Sequence, residues 1–239
     1  HKTFSTPHGG GGPGSGPVVL SEALAPFAPL PFVTKLPDGS CQLVEEEDAA
    51  RLQPQSFGRM TAFHGQMGMF SRALAYILSH GADGLKQVAE DAVLNANYLL
   101  RSLEDVLDAP FAGAGPCMHE AIFSDKGFAG GLSTIDLAKA LIDEGFHPMT
   151  MYFPLVVHGA MLVEPTETES LASLDQFIVA VRSIAERARA GDESLKAAPI
   201  YAPRRRLDET LAARKPVLTW RSAAPDAAGL PTPSEVGDR

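Results

Sequence analysis

The spacing of apolar and polar residues changes along this chain, and the changes predict its elements. The longest regular stretch covers residues 83–108. There Leu85, Val88, Ala89, Ala92, Val93, Ala96, Leu99, Leu100 and Leu103 recur at i, i+3, i+4 and i+7. That spacing puts one apolar stripe on a helix of about 20–25 residues, which Asp108-Ala109-Pro110 should end. Residues 69–78 form a shorter apolar run of helix length, broken by Gly81 and Gly84. Residues 32–36 and 41–44 are β-prone and flank Pro37-Asp38-Gly39-Ser40. Two such runs around a Pro-Asp-Gly turn predict a hairpin. Ser21 is placed to cap a short helix that Pro26 stops.

Beyond the long helix, strand and helix patterns alternate. Residues 117–124, which include Cys117-Met118-His119-Glu120, read as a strand, and 127–131 as a loop. Ser133-Thr134-Ile135-Asp136 offers an N-cap with an acid in the first turn. Leu137, Ala138, Leu141 and Ile142 make the apolar face of that helix, and Gly145 suits its C′ position. Residues 146–154 read as a loop and short strand, and 159–164 as a further strand. Pro165-Thr166-Glu167-Thr168-Glu169 has a capping-box pattern. The helix it opens would bury Leu171, Leu174, Ile178, Val181 and Ile184. The order β-α-β-β-α predicts a compact α/β sandwich. Residues 191–221, with Pro199, Pro203 and Pro216, should wrap over the surface, and the tail from 222 reads as disordered.

Composition narrows the function. The chain has 239 residues, 45% hydrophobic and 21% charged, enough for one large domain or two small ones. A net charge of -9 and a pI near 5.2 argue against a nucleic-acid partner. The one basic cluster, Arg204-Arg205-Arg206, reads as a solvated turn with Asp208 and Glu209 as partners. Glu45-Glu46-Glu47-Asp48 reads as a solvated face. Cys41 and Cys117 lack metal-type spacing and make no disulfide framework, so no metal is expected. No apolar run reaches about 18 residues, so no membrane partner is expected, and a cytoplasmic setting is. Asn95 and Asn97, costly inside a helix, are expected to make structural contacts. His64 reads as a loop or core histidine, and His119, on its strand, as a core or supporting residue. The chain starts at His1 without an initiator Met, inside what reads as a functional loop. The expectation is an N-terminally truncated fragment.

That loop is His1-Lys2-Thr3-Phe4-Ser5-Thr6-Pro7-His8, followed by Gly9, Gly10, Gly11, Gly12, Pro13 and Gly14. Glycines at this density let a ligand approach main-chain N–H groups closely. A lysine beside them is a candidate covalent anchor for a carbonyl group, or a phosphate ligand. By residue type alone a solvated lysine before a flexible linker remains the alternative.

The loop resembles the lysine loop of the glycine decarboxylase P-protein of the glycine cleavage system, in its C-terminal half or its second subunit. Further motifs stand in the family's order. They are Arg72-Ala73-Leu74-Ala75-Tyr76-Ile77, Leu94-Asn95-Ala96-Asn97-Tyr98, Met118-His119-Glu120 and Gly145-Phe146-His147-Pro148 with Thr150. Met161-Leu162-Val163-Glu164-Pro165-Thr166-Glu167 and Arg205-Arg206-Leu207-Asp208-Glu209 continue the series. Gln66-Met67-Gly68 departs from the family's Asn-Phe-Gly.

The resemblance implies an α/β fold of the pyridoxal phosphate-dependent fold type I, like aspartate aminotransferase. Residues 1–82 would be the end of the large cofactor domain, with 83–108 as a linking helix. Residues 109–221 would be the C-terminal small α/β domain, and 222–239 a disordered tail. It implies pyridoxal 5′-phosphate as cofactor, carried on Lys2 as the catalytic residue, with His1 and Thr3 beside it. His8, Gly9, Gly10, Gly11 and Gly12 would line an entry for substrate or a lipoyl arm. His147 and Thr150 would lie in a loop of the domain that closes over the substrate. The implied reaction is decarboxylation of glycine, with the aminomethyl group passed to the lipoyl arm of H-protein. The implied partners are a companion P-protein subunit or N-terminal half, H-protein, T-protein and L-protein. The acid that partners the cofactor's ring nitrogen would precede His1. Another fold type I enzyme, or a non-catalytic scaffold domain, are the readings that compete with it.

Overall fold

A computed structural model describes Phe4 and residues 18–219. The candidate loop residues His1, Lys2, Thr3, His8 and Gly9 to Gly12, and the tail from 220, lie outside the described residues. The chain divides into two compact units, His1–Gln87 and Val88–Arg239.

In the first unit, β1 (Phe32–Lys35) pairs antiparallel with β2 (Cys41–Val44). The turn works as its residues predict. Asp38 accepts from the backbone N–H of Ser40 at 2.9 Å, and Gly39 takes a φ of +88°. Ser21 does not cap with its side chain. Its carbonyl accepts from Leu24 and Ala25, and Pro26 sits inside a 3-10 turn, Ala25–Phe27, rather than ending a helix. A proline fits such a first turn because no N–H is needed there. The acidic run is not merely a solvated face. Glu46, Glu47 and Asp48 form the first turn of α1 (Glu46–Leu52), where carboxylates oppose the helix dipole favourably. Glu45 and Glu46 also bind Arg59, whose two-pronged contact holds the Glu46 carboxyl at about 2. His64 is exposed and bonds Glu45 at 2.7 Å.

The helical run α2 (Met67–Leu103) is interrupted at Gly81, with φ 65° and ψ −175°. Gly84, expected as a second break, is helical. The helix ends at Leu103 and not at Asp108. Val106 and Leu107 turn into the core instead, and Asp108 bridges Ser124, extending the neighbouring ladder.

The second unit is built on an antiparallel sheet in the order β3-β5-β4: β3 (Ala121–Phe123), β5 (Met161–Val163) and β4 (Thr150–Met151). Its helices are α3 (Thr134–Asp143) and α4 (Leu171–Arg189), in the predicted order β-α-β-β-α. Ala121, Phe123, Met161 and Val163 turn into one core with Leu99, Leu103, Leu137, Leu141, Val181 and Ile184. The start of α3 follows the sequence: Ser133 and Asp136 form a reciprocal capping box. Its end does too. Gly145 and Phe146 donate to the carbonyls of Ile142 and Leu141, a Schellman pair, with Gly145 at φ 83°.

Three expectations fail here for tertiary reasons. Residues 117–120 are not strand, because the N–H and C=O of Cys117 are both taken by the Asn97 amide. The Thr166–Glu169 pattern caps nothing. The helix starts at Ser170, whose hydroxyl accepts from the N–H of Ser173, and Leu171 is exposed. Arg206 is exposed as expected, but its acidic partner is not a neighbour in sequence. It donates to the buried Asp136 at 2.7 Å and to the carbonyls of Leu195 and Ala198. A buried carboxylate needs a donor or a cation beside it, and Arg206 supplies both to Asp136. The segment 191–219 adds a 3-10 turn, Glu193–Ala197, and the short helix α5 (Glu209–Arg214).

Candidate functional site

Of the residues singled out by sequence, His147 and Thr150 are described. Both are exposed, and Thr150 is on β4 opposite Leu162 rather than in a loop. The more concentrated chemistry lies at the open end of the β3–β5 ladder. Ala121 faces Val163 there, so the next rung outward sets Glu120 against Glu164. His119 joins them. One ligand-type atom from each of the three lies within 4.8 Å of the others. His119 is exposed and off the strand, not the core residue expected; the two glutamates are half-buried.

The asparagines of α2 build this end. Asn97 donates to Cys117 O at 2.7 Å and accepts from Cys117 N at 3.0 Å, mimicking a strand partner for the segment that leads to His119. Asn95 donates to Thr166 O at 2.9 Å, two residues past Glu164. One helix therefore fixes the approaches to both sides of the cluster, as the structural role expected for these asparagines requires. Asn97→Leu should leave both Cys117 groups unpaired and cost about 1–3 kcal/mol. Chemical denaturation measures this, and a cost near zero would show that the segment 115–119 holds itself.

Like charges set opposite each other on a ladder repel. An imidazole and two carboxylates suit a divalent cation or a shared proton, although solvated acids also gather without either. Sequence spacing gave no hint of the cluster, since Glu164 is 44 positions from Glu120. What the sequence did mark was Met118-His119-Glu120 and Val163-Glu164-Pro165 as two separate motifs.

Beside the cluster is a cleft of about 140 Å³ lined by Leu100, Phe111, Ala112, Ala114, Gly115, Pro116, Cys117, Glu120 and Ile122. Burial pushes the Cys117 thiol up, away from the reactive thiolate. The cleft does not fit a phosphorylated ring cofactor. It is smaller than the roughly 300–1,000 Å³ of most ligand pockets. It also has no lysine, arginine or histidine to face a phosphate, and its one charged group is an acid.

Residues 88–199 match the family "Glycine dehydrogenase, C-terminal domain". The chain is 66% identical over 234 residues to the "Probable glycine dehydrogenase (decarboxylating) subunit 2" of Caulobacter vibrioides, covering 95% of this chain and 44% of that protein. It is 49% identical over 221 residues to the protein of the same name from Oceanobacillus iheyensis, covering 92% and 44%. The chain thus spans less than half the length of these curated relatives. Among solved structures, it is similar to the glycine decarboxylase (P-protein) of the glycine cleavage system in an inhibitor-bound form. The TM-score is 0.50 at 19% identity, over 68% of this chain and 37% of that one. That likeness shows the fold. The α/β fold type I expected from the sequence is the fold found.

Proposed function

The chain belongs to the glycine decarboxylase P-protein family, and on that footing we propose that it forms the C-terminal part of a P-protein that decarboxylates glycine. The observation that carries the reading is 66% identity across 95% of the chain. In this reading the enzyme depends on pyridoxal phosphate, carried on Lys2 with His1 and Thr3 alongside. His8 and the glycines at 9 to 12 border the entry for substrate or lipoyl arm. These residues lie outside the described residues. The aminomethyl group goes to the lipoyl arm of H-protein, and T-protein and L-protein complete the cycle. The relatives are named "subunit 2", which supports a companion subunit as direct partner.

The second unit has a hydrophobic core of its own. His147 and Thr150 stand on its surface, where they could meet substrate. No helix among the described residues is long and apolar enough to cross a membrane. Both cysteines are free, in keeping with the cytoplasmic setting we assign.

The test is exchange of labelled bicarbonate into the carboxyl group of glycine. It needs the chain joined with the part of the Caulobacter relative it does not span, the companion subunit, lipoylated H-protein and pyridoxal phosphate. Exchange is expected only when all are present and only with glycine. No exchange from the complete, folded mixture, or a preference for a larger amino acid, would overturn the reading.

A further inference from the structure

We infer that residues 200–206 form a strap that docks an acidic segment of a separate protein. The strap is held along one face of α3. Asp136, Lys139 and Asp143 follow at i, i+3 and i+7, so they share that face. Each grips the chain that follows Ala198. Asp143 accepts from the backbone N–H groups of Ile200 and Tyr201 at 2.8 Å. Asp136 accepts from Arg206 at 2.7 Å, and Lys139 donates to Glu209 at 3.3 Å. The two aspartates lie about 10 Å apart along the helix, so the strap is tied at both ends. The prolines at 199 and 203 restrict its backbone further.

Between its anchors the strap presents charge that its own chain does not use. Residues 196–215 carry six lysines and arginines against two acids, in a chain with a net charge of -9. Both acids are engaged elsewhere. Asp208 accepts from the Leu211 N–H as the N-cap of α5, and Glu209 pairs with Lys139. The side chains of Arg204 and Arg205 are exposed and pair with no described residue. Tyr201, on the same strap, is 84% exposed.

Two guanidinium forks beside an aromatic ring suit a protein segment that carries carboxylates. Arginine grips a carboxylate with two parallel N–H donors, and arginine and tyrosine are enriched among the anchors of protein interfaces. A strap already ordered by α3 also loses little freedom on binding. A nucleic acid fits poorly. Its phosphate backbone needs a run of cations, and a chain of net charge -9 repels it at a distance. An anionic membrane calls for a cluster of about four to eight basic residues, whereas the strap presents Arg204 and Arg205.

The experiment follows the fluorescence anisotropy of a labelled peptide of repeated Glu-Glu-Leu units as the full chain is added. Saturable binding that weakens with salt is expected. Arg204→Glu with Arg205→Glu should weaken it about tenfold or more, the loss of one or two charge-assisted contacts. Arg214→Glu with Lys215→Glu makes the same change in net charge outside the strap, and should move the affinity by less than about twofold at physiological salt. Helix circular dichroism should match the parent chain in both variants. Equal losses in the two would show an effect of net charge and overturn the inference. So would a peptide that does not bind the parent chain, or tighter binding of a single-stranded DNA of the same charge. Peptide binding should also survive joining the chain to the part of the Caulobacter relative it does not span. Its loss there would make the strap an internal contact and overturn the inference as well. None of these readouts uses activity, so they stand apart from the test of glycine exchange.

Discussion

Lys2→Ala is expected to reduce glycine–bicarbonate exchange in the reconstituted complex to the level of a mixture without the chain. The amine is the group through which the cofactor would be attached, and no other residue type can replace it. A nucleophilic amine must be partly neutral near pH 7, which burial or a nearby cation achieves for lysine. Arginine keeps its charge at any pH a protein survives, so Lys2→Arg should be as inactive as alanine despite its size. Neither change should alter unfolding of the second unit. Loss of the visible absorbance of bound pyridoxal phosphate would accompany loss of exchange. If Lys2→Ala retained exchange, the attachment site would have to be sought elsewhere.

The largest expected stability effect is at Gly159. Its φ is +59°, and a Cβ built there would overlap the Asp125 carboxylate. Asp125 cannot simply move aside. Its Oδ2 accepts from the Thr134 N–H at 3.1 Å, at the N-terminus of α3, and Thr134 Oγ1 donates to Gly159 O at 2.6 Å. Thr134 is fully buried. Displacing Asp125 therefore leaves a helix-terminal N–H unpaired in a closed site. Strained backbone and the lost charged hydrogen bond together put Gly159→Ala at about 3–5 kcal/mol. Denaturant unfolding followed by helix circular dichroism measures it. Asp125→Ala in the same chain removes the clash, so the double variant should cost clearly less than the sum of the two singles. Additive costs would mean that the overlap is relieved in another way.

Some of this architecture could be read from residues in order. The hairpin at 32–44 needs only a Pro-Asp-Gly turn and two β-prone runs. Helix α3 needs only Ser133, Asp136 and Gly145, all within one turn of its ends. The break at Gly81 lies where it was expected, though Gly84 does not break the helix, because a glycine weakens a helix without forbidding it. Of the candidate site, the residue order revealed the family, through ordered motifs, and the lysine loop that the family makes meaningful. It gave no sign that His119, Glu120 and Glu164 meet.

Short-range chemistry encodes turn residues, caps, helical stripes and motifs in a family's order, and all of these are legible in the chain. Where the elements stop was set by contacts between distant residues. Asn97 withdrew 117–120 from the sheet across 20 positions, and Arg206 crossed 70 positions to reach Asp136. The same holds for the two halves of α2, alike in apolar spacing, of which one is buried and the other bare. Periodicity fixes which side of a helix is apolar. Whether anything covers that side depends on the rest of the chain around it.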